Sequence, residues 1–161
     1  PFGELQTVVQ PLYPRWRQNL NLPEQEFQDG TYTFKVSLGK GLWRRIAIAG
    51  GDNFESLSDA ILEAFAFDDD HLHQFTYRNR FGVSARINHL DMDEPPFTSE
   101  VRIGEIGIRP GKTMTYLFDF GDNWEFGVQL EGIALADPKV RRPIVLETHG
   151  EAPEQYLRWD E

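Results

Sequence analysis

Residues 67–75 read FDDDHLHQF. His71 and His73 stand two apart, the spacing that sends two imidazoles to one side of an extended strand. With Asp70, His89 or His149 they could hold Zn2+ or Mn2+ through nitrogen and oxygen. A second polar set follows in FDFGDNWEF, which carries Asp119, Asp122 and Glu125. His71, His73, Asp119 and Asp122 together would suit a metal-dependent hydrolase or nuclease accessory, and with Glu125 they form the candidate binding set. The same residues also have a structural use. Phe75 and Tyr77 share the alternation of the two histidines, which could line the edge of a core and bond to backbone or Asp. A metal site needs three or more convergent ligands, and spacing alone does not show convergence. No tight structural zinc, other metal or cofactor is expected.

The elements that position these residues follow from periodicity. Residues 31–38 (TYTFKVSL) alternate, with Tyr32, Phe34, Val36 and Leu38 on one side, as a half-buried strand requires. Residues 42–49 form a second strand. A turn at 39–41 pairs Leu38 with Leu42 and Phe34 with Ile46, and it places Arg44 on the apolar face, where it must reach the rim or meet a carboxylate. Asp52 or Asn53 caps a helix over 54–66, because Phe54, Leu57, Ile61, Leu62 and Phe65 recur at helical spacing. Asp68, Asp69 and Asp70 then belong in a solvated turn beyond it, since the negative end of the helix dipole disfavours anions. A strand starts at His71. Residues 78–100 read as a loop with a short strand at 83–87, and a turn of helix or a strand follows at 101–108. Residues 113–131 form a hairpin. Met114, Tyr116, Phe118 and Phe120 share a face with Trp124, Phe126, Val128 and Leu130 if residues 121–123 make the loop. That register sets Asp119 opposite Glu125. A strand at 144–147 completes an α+β fold: a mostly antiparallel, curved sheet built from hairpins, with one main amphipathic helix packed on it.

The chain has 161 residues, 40% of them hydrophobic, enough for one packed domain. Residues 31–161 read as that domain. Residues 1–30, with four prolines, read as an extended arm, whose Leu12, Tyr13, Trp16 and Leu22 lie on the body, or as a linker from a missing N-terminal region. Net charge is −10, and residues 51–100 hold 11 acidic residues against three Arg. That opposes general nucleic-acid binding, which relies on neutralised phosphates, although Arg44, Arg45, Arg141 and Arg142 keep DNA open as a ligand. The chain contains no cysteine, so disulfides and thiolate zinc sites are excluded, as suits a cytoplasmic protein. No apolar run is long enough to span a membrane. Nucleophile-elbow, phosphate-loop and dinucleotide motifs do not occur. The expectation is a non-catalytic module that docks an unidentified protein partner.

GLWRRIAI, FDDDHLHQF and YLFDFGDNWEF together resemble the plasmid pRiA4b ORF3-like family over residues 32–133. Members are similar to proteins of plasmids and insertion-sequence passengers, some labelled resolvase-like. The resemblance implies a mobile-element setting and no defined reaction. Many members carry a His where this chain has Phe126, and a Cys-containing segment where it has HGEAPEQY at 149–156. If those residues serve a metal in the family, part of that site is missing here.

Overall fold

The computed structural model describes residues 26–155. The expected arm contacts of Leu12, Tyr13, Trp16 and Leu22 lie outside them. Seven strands, β1 (Thr31–Ser37), β2 (Trp43–Ala49), β3 (His73–Arg78), β4 (Ser84–Asn88), β5 (Thr113–Phe118), β6 (Trp124–Ala134) and β7 (Ile144–His149), make one sheet ordered β4-β3-β5-β6-β1-β2-β7. Every neighbouring pair is antiparallel, and the sheet does not close. One helix, α1 (Phe54–Ala64), supplies the second layer, and short 3-10 turns occur at Leu90–Met92 and Ile103–Glu105. The class is α+β.

The core lies between one face of the sheet and α1. Tyr32, Phe34, Val36, Ile46, Ile48, Met114, Tyr116, Phe118, Phe126, Val128 and Leu130 point into it from the sheet, all 2% exposed or less. The helix answers with Phe54, Leu57, Ile61 and Leu62. Asn53 caps it, accepting the Ser56 backbone N–H at 2.8 Å, which satisfies one of the unpaired amides of the first turn. At β6 the register on β1 shifts between Thr33 and Phe34. The shift sets Glu131 aside and brings Ile133 opposite Tyr32, back on the core side.

Arg44 does lie on the apolar face, 5% exposed, but it meets no carboxylate among the described residues. Its guanidinium donates to the carbonyls of Ala64 (3.0 Å), Trp43 (2.9 Å) and His149 (3.1 Å) and lies 4.7 Å from the Phe65 ring centre. The cation therefore meets the last carbonyl of α1, where the helix dipole is negative, and two strand carbonyls beside it.

The β5–β6 hairpin corrects the expected register. Phe118 faces Trp124 and Leu117 faces Glu125. The Asn123 N–H donates to the Asp119 carbonyl at 2.5 Å, so the tip encloses residues 120–122 rather than 121–123. Phe120 leaves the core and is 42% exposed, and Trp124 is half-buried, packed 4.9 Å from Phe67. Asp119 and Glu125 are not opposed.

Phe118 is fully buried, so Phe118→Ala should destabilise by about 3–5 kcal/mol through lost burial and the cavity left behind. Urea unfolding measures this; a loss below about 0.5 kcal/mol, the usual surface range, would contradict the packing.

Candidate functional site

The strand that begins at His73 places that residue opposite Phe118 on β5. His73 is 2% exposed. Its Nδ1 lies 3.2 Å from Ser58 Oγ on α1, and its Nε2 lies 2.8 Å from Thr98 Oγ1. Ser58 Oγ is in turn 2.5 Å from the Tyr116 hydroxyl on β5. A buried polar chain thus runs Tyr116–Ser58–His73–Thr98, joining the helix, the sheet and the 95–99 loop. Burial, and secondarily the neighbouring His89, push His73 down to about 3, so it is neutral at physiological pH. Burial likewise pushes the Tyr116 hydroxyl up, which keeps it protonated and available as a donor.

His71 does not share this environment. It precedes β3, and its side chain is 41% exposed, so the alternation begins at His73 and the two imidazoles do not converge. His71 Nε2 lies 3.3 Å from Asp119 Oδ2 and 3.6 Å from Asp70 Oδ1. Asp119 is 5% exposed and adopts φ +63°, a left-handed conformation that Asp tolerates through local hydrogen bonds. Its Oδ1 accepts the N–H groups of Gly121 (3.0 Å) and Asp122 (3.2 Å). Asp122 joins through its backbone, and its side chain is exposed. Glu125 is exposed on β6, opposite Leu117.

Asp69, Asp70, His71, Leu72, His89 and Asp91 line a shallow depression of about 430 Å3. His89 stands at its wall, 4.7 Å from the His73 ring centre, with Nδ1 accepting the Asp91 N–H at 3.0 Å. On the adjoining helix face, partial desolvation and then the Asp69 and Glu55 carboxylates push Asp59 up to about 6. His149 is elsewhere: it lies on β7 across the sheet, stacked on Trp43 at 5.3 Å. Phe126 packs against Phe65 (5.0 Å), Tyr116 (5.6 Å) and Phe67 (6.0 Å). Among the described residues no three His, Asp or Glu side chains are placed to hold a metal ion. Periodicity put Tyr116 on the core face but gave no sign of the bonds made by Ser58 and Thr98. A Ser on the apolar side of a helix, between Leu57 and Ile61, was the available signal for a buried hydroxyl.

A family model described as plasmid pRiA4b ORF-3-like protein matches residues 31–156. The chain is also similar to the crystal structure of a protein of unknown function from Methanosarcina mazei Go1. That likeness has a TM-score of 0.68 and 26% identity, covering 79% of this chain and 73% of that one. The comparison with curated proteins returned no match.

Two measurements test this geometry. Asp119→Ala removes a charged acceptor from two backbone amides and should destabilise by about 1.5–3 kcal/mol; a stabilised variant would contradict the bonding. His73 has a folded-state value below its unfolded value, so its contribution is present above about 6.5 and is lost as pH falls toward about 3. Between pH 7 and pH 5 this amounts to about 2 kcal/mol. His73→Gln cannot protonate and should lose correspondingly less stability over that interval; equal losses in both proteins would contradict a buried, neutral His73.

Proposed function

The chain belongs to the plasmid pRiA4b ORF-3-like protein family, and from that premise we propose that it is a non-catalytic interaction module that docks a partner protein. In this reading residues 31–161 form the domain, residues 1–30 form an arm or linker, and the module works in the cytoplasm on behalf of a plasmid or mobile element. The supporting observation is the position of exposed apolar side chains. Phe81 and Val83, 54% and 58% exposed, adjoin β4 at one edge of the open sheet. Ile144, Val145 and Leu146, 38%, 43% and 54% exposed, lie on β7 at the other. An uncovered edge offers unpaired backbone groups to an incoming strand, and apolar side chains beside it add burial on docking. Of the candidate binding residues, His71, Asp122 and Glu125 keep surface for polar contact, while Asp119 holds the backbone of the hairpin tip and His73 meets hydroxyls in the core. The competing metal-dependent hydrolase or nuclease accessory needs His71 and His73 to act together, and His73 has both ring nitrogens within hydrogen-bond distance of internal hydroxyls. No helix among the described residues is long and apolar enough to cross a membrane.

A photo-crosslinking amino acid placed at Val83 or at Leu146 in cells tests the reading. At least one edge should capture a discrete protein, and a Lys at the neighbouring apolar position should abolish that capture; no capture at either edge would overturn the interaction role. In parallel, Zn2+ or Mn2+ added to dialysed protein should leave the melting temperature unchanged. Saturable one-to-one binding with a raised melting temperature would favour the hydrolase instead.

A further inference from the structure

Building on that interaction role, we propose that β4 is the docking edge and that its occupant is an acidic, extended segment of another protein carrying an apolar anchor. Residues 71–90 contain Arg78, Arg80 and Arg86 but no Asp, Glu or Lys, within a chain of net charge −10. Interface cores are enriched in Arg and aromatic residues and depleted in Lys, Asp and Glu, so this local composition departs from the rest of the surface in the direction of an interface.

The geometry makes the composition usable. β4 is the outermost strand and pairs with β3 on its inner side. At its end, Asn88 is already occupied: its N–H donates to the Pro96 carbonyl (2.9 Å), and its carbonyl accepts the Thr98 N–H (2.8 Å). From Ser84 to Ile87 no strand lies alongside among the described residues. Arg78 faces Ser84, and Arg86 faces Thr76. Directly opposed residues share a face, so both guanidinium groups project from the side away from buried Phe75 and Ile87. Neither has an ion-pair partner among the described residues; Arg78 donates to the Gly82 carbonyl at 2.7 Å, which ties it to the hairpin tip. Phe81 and Val83 complete that tip as exposed apolar surface.

An extended segment added to this edge would bond through its backbone. Its alternate carboxylates would meet Arg78 and Arg86, and its apolar side chain would cover Phe81 and Val83. On the β7 side the cation beside the strand, Arg45, is held by both Glu131 and Glu147, and the exposed Arg141 and Arg142 precede the strand rather than stand on it. A nucleic acid fits less well, since affinity for phosphate grows with the number of neutralising cations and the chain is strongly acidic overall.

The probe is a fluorescein-labelled ten-residue peptide of alternating Glu and Thr with one central Phe, followed by fluorescence anisotropy. The wild-type protein should bind it saturably with Kd below about 100 µM, and the Arg78→Glu/Arg86→Glu double variant should bind at least about tenfold more weakly. A control double charge reversal outside β3, β4 and β7, Lys40→Glu/Lys112→Glu, should bind as the wild type does. All substituted positions are exposed apart from their contacts at the tip, and circular dichroism verifies that each variant is folded. Three results overturn the proposal: no binding up to about 1 mM, equal affinity in the double variant, or tighter binding of a short DNA duplex than of the peptide. If β4 fails in this way while crosslinking at Leu146 persists, the interaction role stands with a different edge. Loss of capture at both edges overturns the role itself.

Discussion

Three hairpins carry the sheet, and all three must keep side-chain parity in phase across the turn. Their tips close in the same way, through backbone bonds between Leu38 and Leu42, Asn79 and Val83, and Asp119 and Asn123, each enclosing three residues. An odd number of enclosed residues lets alternation continue unchanged from one strand to the next. Core-facing residues are therefore even-numbered in β1, β2 and β5, and in β6 as far as Leu130, and they are odd-numbered in β3 and β4. The loss or gain of one residue at any tip would turn the core-facing side chains of a strand out to water. Because parity holds at all three, a single eleven-residue helix can cover one continuous apolar face.

Two polar devices fix how that helix sits. Arg44 draws the last carbonyl of α1 toward β2 and the end of β7, with Phe65 against the guanidinium. Some 6 residues before the helix end, Ser58 reaches His73 and Tyr116 on the sheet. Burying such groups is costly unless their hydrogen bonds are met, and the directionality of those bonds restricts the position of the helix more than apolar contact does. The arrangement also separates the two histidines of the HLH step. One is bound into the core, and the other lies at the surface beside Asp119.

Strong alternation made β1, β2, β5 and β6 legible, because each buries one face against the core. The helix was legible from its apolar spacing and from Asn53 at its start. The pattern misled where a polar residue is buried or an aromatic is exposed. Phe120 continued the alternation of β5, yet the chain turns before it, because Asp119 binds the Gly121 and Asp122 amides and accepts a left-handed backbone. His71 continued the alternation of β3, yet pairing with β5 starts only at His73. Alternation puts Arg44 on the apolar face, but the carbonyls of Ala64 and His149 that receive it are distant in sequence. Ser58 and Thr98 stand 15 and 25 residues from His73, and no local pattern connects them.

His73 is a structural group whose nitrogens are engaged inside the protein. Nitrogen-15 NMR of the imidazole ring measures this directly. His73 should remain neutral in one tautomer from about pH 7.5 to about pH 4.5, below the ordinary histidine range, and added Zn2+ should leave its signals unchanged. Protonation near the ordinary value of about 6.5, or a shift on stoichiometric addition of Zn2+, would contradict that structural role and return the HLH step to a metal site.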